Sequence, residues 1–210
     1  ERGRDKICGD GLTPRAVAAL KELDIPIDAS HRISGLRMIA GRQIRELPWP
    51  ETDRFPGYGA VWPRQSLDAE LIGAAESAGA TVSFKSTARP IIEDDVVRGV
   101  RVECAGGTRE VYAEKVIVAT GAPGAVARDL GAVRVADEPF GLAIRSYVES
   151  PRHADDMLEA CLTLRDEHGT PVPGYGWMFP CGDGSVNIGV GALSTMKGFK
   201  SLNLNKLLAS

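Results

Sequence analysis

Two segments in the first half of the chain have the apolar spacing of amphipathic helices. Thr13 and Pro14 precede apolar residues at positions 16, 17, 20 and 23, which predicts a helix with Thr13 as its N-cap. A second helix is predicted over 64–78, ended by Gly79. Its apolar face is formed by Leu67, Leu71, Ala75 and Ala78.

Other segments have the patterns of strands. Short strands are predicted within 33–47, up to Trp62 and at 81–84, and a hairpin over 96–112 turns at Gly106–Gly107. The continuous apolar run Val116–Ala119 predicts a strand buried on both faces, in a parallel core, with a helix after it. After Pro139, alternation in 140–148 and 174–191 predicts an antiparallel sheet.

These elements predict an α/β or α+β fold with two interleaved parts. Residues 1–30 and 58–131 are assigned to an incomplete Rossmann-like cofactor-binding domain. Residues 31–57 and 132–210 are assigned to a β-rich substrate domain. The Pro- and Gly-rich stretch 48–59 is a candidate crossing between the two parts.

The segment 173–191, PGYGWMFPCGDGSVNIGVG, is the most distinctive in the chain. Alternation puts Tyr175, Trp177 and Phe179 on one face of a strand. A two-residue turn at Gly182–Asp183 or Asp183–Gly184 would place Val186, Ile188 and Val190 on that same face. The other face, with Asn187 and Gly189, would be almost without side-chain bulk, which favours close approach of a backbone or a flat ligand. The alternative is that the aromatic residues are ordinary core.

Composition excludes several classes of function. The 210 residues carry a net charge of −3 with scattered Lys and Arg, so nucleic acid is not an expected partner. Four dispersed cysteines and three isolated histidines predict neither a metal site nor a disulfide framework, and favour a reducing cytoplasm. No apolar run is long enough to span a bilayer, which leaves peripheral membrane contact open.

Several residues are candidates for binding a phosphate-bearing cofactor. Ala119-Thr120-Gly121 follows an apolar run, and glycine there lets backbone N–H groups approach a phosphate. Arg64, at a strand-to-helix junction, could contact a pyrophosphate, and Glu1 could bind ribose hydroxyls. Cys8-Gly9 lies in a Gly-rich loop before a helix, where a thiol could meet a ligand. Each also has an ordinary structural interpretation, as a surface or core residue.

The order of four segments resembles the geranylgeranyl reductase family of flavoproteins, and within it the actinobacterial branch that acts on menaquinone. These segments are 4–20, 64–80, 115–124 and 173–195. The resemblance covers nearly the whole chain, and its most specific part is Tyr175-x-Trp177-x-Phe179-Pro180 with Asn187 and Gly189 downstream.

The resemblance implies an FAD enzyme of the p-hydroxybenzoate hydroxylase structural class that saturates C=C bonds in isoprenoid chains. It would place Glu1 on the adenosine ribose, Arg64 and Ala119–Gly121 around FAD, and Cys8-Gly9 beside the isoalloxazine as the catalytic region. Tyr175, Trp177 and Phe179, with Asn187 and Gly189, would line the prenyl site. The electron donor, whether nicotinamide, ferredoxin or another, is not identified.

Two departures from the family are evident. The chain contains neither the GxGxxG phosphate loop nor the later Gly-Asp element, and Glu1 lies closer to Cys8 than the family leads us to expect. The expectation is therefore that this sequence is a fragment. A flavin monooxygenase or halogenase on the same scaffold, and a catalytically silent binding domain, remain alternative functions.

We predict that these 210 residues, expressed alone, bind FAD poorly or not at all, because they lack the phosphate loop that would hold the pyrophosphate. The measurement is the flavin absorbance of the purified chain after reconstitution and desalting. A stoichiometric yellow complex would refute this prediction.

Overall fold

The computed structural model describes residues 3–121, 124–133, 135 and 137–209. The fourteen strands of these residues are β1 Gly11–Leu12, β2 His31–Ile33, β3 Gly35–Ala40, β4 Gln43–Pro48, β5 Gly59–Val61, β6 Thr87–Glu93, β7 Val96–Cys104, β8 Gly107–Tyr112, β9 Gly141–Glu149, β10 Met157–Cys161, β11 Leu164–Arg165, β12 Pro171–Val172, β13 Gly174–Pro180 and β14 Ser185–Leu193. The four α-helices are α1 Pro14–Glu22, α2 Arg64–Ser77, α3 Ala125–Asp129 and α4 Leu204–Ala209. Short 3₁₀ turns occupy Pro151–Ala154 and Phe199–Ser201.

The chain forms two compact units, one over residues 81–138 and the other over 2–80 and 139–210. The first unit contains an antiparallel sheet in the order β6-β7-β8, together with α3. The α+β class is confirmed. The assignment of 1–30 and 58–131 to a cofactor-binding domain, and of 31–57 and 132–210 to a substrate domain, stays a prediction.

The second unit is built on a six-stranded sheet in the order β4-β3-β10-β13-β14-β9. All its neighbouring strands are antiparallel except β3 and β10. A small sheet in the order β1-β5-β2 packs on one face through Ile33, Val61 and Leu158. The opposite face is covered by α4, where Leu207 packs against Val190.

Both predicted helices form for the reasons visible in the sequence. The Thr13 hydroxyl accepts a hydrogen bond from the Ala16 backbone N–H at 3.4 Å and caps α1. Leu20 of α1 and Leu67 of α2 are buried together with Trp62. Gly79, at φ +93°, ends α2 in the left-handed conformation that glycine adopts readily.

Two predicted strands do not form. Residues 81–84 and 116–119 lie outside every strand of the described residues, and Ile117 is 90% exposed. A strand buried on both faces needs hydrogen-bonding partners along its edges, and none of the described strands pairs with these segments. The predicted parallel core at 116–119 was therefore wrong for this structure.

The predicted register of the β13–β14 hairpin was also wrong. Trp177 pairs with Gly189 and Phe179 with Asn187, whereas the predicted two-residue turn would have set both aromatic residues opposite Val or Ile. The connection is longer, with the Cys181 N–H donating to the Ser185 carbonyl at 3.0 Å around three intervening residues. A shift of one residue moves every side chain to the other face. The aromatic residues therefore share their face with Asn187, Gly189 and Gly191.

The glycine at 189 provides the space for the indole ring of Trp177. A Cβ at this position would overlap the six-membered ring of Trp177. The ring is only 8% exposed and so has little room to move away. The space left by Gly189, which the sequence assigned to the other face, is therefore filled by the Trp177 ring on the same face.

We expect Gly189→Ala to lower the free energy of unfolding by about 1–3 kcal/mol, because the added methyl group overpacks the site. Urea denaturation measures this loss. Gly73→Ala is the matched control, since a Cβ there meets open space within α2, and it should stabilise by about 0.5–1 kcal/mol. Unchanged stability in Gly189→Ala would contradict the register.

Candidate functional site

The loop Cys8–Gly11 lies directly on the aromatic face of the hairpin. A Cβ at Gly9 would be 2.7 Å from the Phe179 ring and 3.3 Å from Trp177 Nε1, and one at Gly11 would be 3.0 Å from the same Phe179 ring. Neither position can carry a side chain without displacing aromatic atoms. The two glycines therefore permit close contact between the loop backbone and the rings.

The three aromatic residues differ in burial along the strand. Tyr175 is 48% exposed, Trp177 is 8% exposed, and Phe179 is intermediate. The Trp177 ring centroid lies 5.7 Å from that of Tyr175 and 6.4 Å from that of Phe179. The row thus passes from packed core under the loop to an apolar surface at Tyr175.

A polar network that the sequence did not predict joins the loop to this face. Asn187, fully buried, accepts a hydrogen bond from Trp177 Nε1 at 3.0 Å and donates to the Cys8 carbonyl at 2.8 Å. Its amide also donates to the Asp10 carboxylate at 2.7 Å. Asn187 is therefore held by the loop, and itself fixes the orientation of the Trp177 indole.

Asp10 is the centre of this network. Its carboxylate also accepts hydrogen bonds from the Tyr147 hydroxyl and, at 3.2 Å, from the Arg64 backbone N–H. The Asp10 backbone N–H points to Cys8 Sγ at 3.4 Å, and its carbonyl accepts from the Trp62 N–H at 3.0 Å. One sequence signal could have indicated this role: an Asn in the middle of a strand that is otherwise apolar requires a buried partner.

Arg64 begins α2 and faces the same loop. Its guanidinium donates two hydrogen bonds to Asp68, at 2.7 and 2.9 Å. This pairing is the main reason that the pKa of Arg64 lies above its ordinary value; burial opposes the rise, and the nearby Cys8 thiol adds to it. The side chain is thus already oriented, with part of its donor capacity in use.

Arg145 is a second cation on the aromatic face that sequence reasoning missed. It lies opposite Gly189 in the sheet, and its guanidinium stacks 4.3 Å from the centroid of the Tyr147 ring. It also pairs with the Asp5 carboxylate, in the segment before the loop. This contact adds a second attachment between residues 5–10 and β9.

The structure brings together most of the predicted site residues. Cys8 and Gly9 contact the face that carries Trp177, Phe179, Asn187 and Gly189, with Arg64 joined to them through Asp10. Ala119, Thr120 and Gly121 belong to the other compact unit, where Gly121 adopts φ +74° and its carbonyl accepts a hydrogen bond from the Gly124 N–H at 2.9 Å. Glu1 lies outside the described residues.

The helices of the described part of the chain include none that is long and apolar enough to cross a membrane.

Comparisons with known proteins find reductases that are similar in sequence and flavin-dependent enzymes that are similar in fold. It is 41% identical over 208 residues to the menaquinone reductase of Mycobacterium tuberculosis, which covers 98% of this chain and 50% of that protein. A geranylgeranyl bacteriochlorophyll reductase-like structure from Thermoplasma acidophilum matches with a TM-score of 0.78 and 24% identity, over 100% of this chain and 52% of its own. The flavin-dependent brominase Bmp2, as a triple mutant, matches with a TM-score of 0.76 and 15% identity, over 100% and 53%. No family model matches the chain.

These comparisons define the fold as that shared by FAD-dependent oxidoreductases and halogenases. The expected resemblance to the geranylgeranyl reductase family is confirmed, and the chain is similar in sequence to menaquinone reductases. The chain spans about half the length of the curated relatives it matches.

The hydrogen bond between Tyr147 and Asp10 should make the stability of the protein depend on pH in the alkaline range. Burial, and then the hydrogen bond to Asp10, raises the pKa of Tyr147 well above its usual value. Because the folded-state pKa lies above the unfolded value of about 10, the stabilising effect is complete below pH 10 and is lost as the pH rises through the folded-state pKa.

We therefore expect the free energy of unfolding to decline above pH 10 more steeply in the parent chain than in Tyr147→Phe. Tyr175→Phe, an exposed ring on the same face, is the control and should keep the steep decline. Identical slopes for all three proteins, measured by urea titration at each pH, would argue against the Tyr147–Asp10 contact.

Proposed function

We propose that this chain is part of an FAD-dependent reductase that saturates C=C bonds in isoprenoid chains, with the prenyl tail of menaquinone as its substrate. The single observation that carries this proposal is the 41% identity to menaquinone reductase over 98% of the chain. The aligned region covers 98% of this chain, so it includes both the Cys8–Gly11 loop and the aromatic hairpin. The two surfaces that the structure brings into contact are thus both included.

The residues around the loop fit a flavin in part. Gly11 is exposed and has no side chain, and the first turn of α1 contains no acidic residue that would repel an electron-rich group. Arg64 supplies a positive charge beside Cys8. We assign Cys8-Gly9 and Arg64 to the cofactor. The assignments of Ala119–Gly121 to the cofactor and of Glu1 to its ribose rest on the sequence resemblance alone.

The aromatic face fits an apolar substrate. Tyr175 presents an exposed ring, and Leu193, on the same face of the sheet, is an exposed apolar residue. A prenyl chain offers no polar group, so apolar area and shape must supply its affinity. We assign Tyr175, Trp177 and Phe179 to the prenyl site, supported by Asn187 and Gly189, which hold the indole in place.

Reduced FAD, when bound, supplies the hydride equivalent that an isolated alkene needs. The residues of this chain would align the alkene, exclude water, and deliver a proton to the second alkene carbon. Cys8, or water ordered beside it, is the group we assign to proton handling, since its thiol lies in the loop that contacts the aromatic face. The electron donor is a further partner of unassigned chemistry, and peripheral membrane contact would give access to the quinone.

A flavin monooxygenase or halogenase is the second candidate, favoured by the brominase fold match alone. At 15% identity that match shows only the fold. The reductase relatives are much closer in sequence, so the reductase is preferred.

The test is incubation of the full-length, flavin-loaded protein with a chemical reductant and menaquinone. We expect a mass gain of two hydrogens in the prenyl tail, and a large loss of turnover in Cys8→Ala. Cys104→Ala, an exposed thiol of the other unit, is the matched control and should leave turnover unchanged. Oxygen-dependent hydroxylation or halogenation without alkene reduction would overturn the proposal, and full turnover in Cys8→Ala would remove Cys8 from the mechanism.

A further inference from the structure

Asp10 has two features that each cost folding free energy: a buried carboxylate and a left-handed backbone conformation. It is 1% exposed, and its backbone lies at φ +66°, in the left-handed region that residues other than Gly, Asn and Asp rarely adopt. Both carboxylate oxygens have partners: one accepts from Arg64, and the other from Tyr147 and Asn187. A buried carboxylate with this many donors is held in one orientation.

The partners of Asp10 come from separate parts of the chain. Arg64 is the first residue of α2, which has Pro63 at its N-cap and no side-chain hydrogen bond of its own there. Asp10 therefore supplies, from 54 residues away, an acceptor for one of the N–H groups that have no partner within the first turn of α2. Tyr147 belongs to β9 and Asn187 to β14, whose amide also holds the Trp177 indole.

We propose that Asp10 is a positioning residue, whose buried carboxylate sets Cys8-Gly9, the start of α2 and the Trp177 indole in one fixed arrangement. In terms of the proposed function, on which this inference rests, these are the groups assigned to the flavin and to the prenyl chain. Asp10 itself lies beneath them and contacts neither ligand. Its role is to fix the position of the cofactor-binding residues relative to the substrate-binding residues.

The arrangement requires a carboxylate. All three partners are donors, so the side chain must accept three hydrogen bonds through two oxygens. An asparagine has nearly the same shape and tolerates the left-handed conformation, but its NH₂ group would face at least one donor. Asp10→Asn therefore tests the acceptors while leaving packing and backbone conformation nearly unchanged.

The experiment compares Asp10→Asn with Asp24→Asn in the full-length, flavin-loaded protein. Asp24 is an exposed residue at φ +53°, so the control makes the same chemical change in the same backbone region, away from the network. The first readout needs no turnover: the ¹⁵N–¹H signal of the Trp177 indole, which depends on its hydrogen bond to Asn187. We expect this signal to shift or broaden in Asp10→Asn and to stay in place in Asp24→Asn.

The second readout is steady-state kinetics with menaquinone. Because a displacement of about 1 Å in a reacting geometry costs on the order of 10²-fold, we expect kcat to fall about 10- to 100-fold in Asp10→Asn. KM should change by less than about threefold, since the exposed apolar contacts of the substrate face remain. A fall in kcat that only follows the fraction of folded protein would indicate a structural role and overturn the inference.

The two readouts separate this inference from the proposed function. If the parent protein does not reduce menaquinone, the proposed function fails. The indole signal then still decides whether Asp10 fixes Trp177. An unchanged indole signal and unchanged kcat in Asp10→Asn overturn the positioning role whatever the reaction is. Should Asp10→Asn not fold, Tyr147→Phe carries the same test, because it removes one donor from the carboxylate; an indole signal like that of the parent would then count against the inference.

Discussion

The contact between a glycine-rich loop and the aromatic face of a hairpin is the interaction on which the rest of this site depends. Gly9 and Gly11 lie so close to Phe179 that no side chain fits between them. Such close contact would leave polar groups of the loop buried, and Asp10 and Asn187 satisfy them with hydrogen bonds to each other and to their surroundings. Packing and polar satisfaction therefore support the same arrangement, which is the usual sign of a specified structure.

The arrangement gives the site two kinds of surface within one unit. Beneath the loop, Trp177 and Asn187 are buried and fixed, whereas Tyr175 at the other end of the row is half exposed. Under the proposed function, the rigid, hydrogen-bonded end would align the flavin, and the exposed apolar end would take the hydrocarbon. The 41% identity to a menaquinone reductase is what supports that proposal.

Much of the local structure could be predicted because its causes are local. Thr13 and Pro14 mark the start of α1, Gly79 ends α2, and alternation after Pro139 identified strands of the antiparallel sheet, β9, β13 and β14. The strand predicted at 116–119 does not form, because a buried strand depends on pairing partners that its own sequence does not specify. The hairpin register depended on a turn one residue longer than the shortest option, and that single residue decided which side chains meet. Asp10 was missed because its importance comes from Tyr147 and Asn187, more than 130 residues away.

The most direct test of the central contact is a double-mutant cycle between Asp10 and Asn187, measured as free energies of unfolding of Asp10→Ala, Asn187→Ala and the double variant. Residues in one buried hydrogen-bonded network couple by about 0.5–3 kcal/mol, so the double variant should lose clearly less stability than the two single losses added together. Additive losses, within about 0.3–0.5 kcal/mol, would show that the two side chains act independently and would contradict the account.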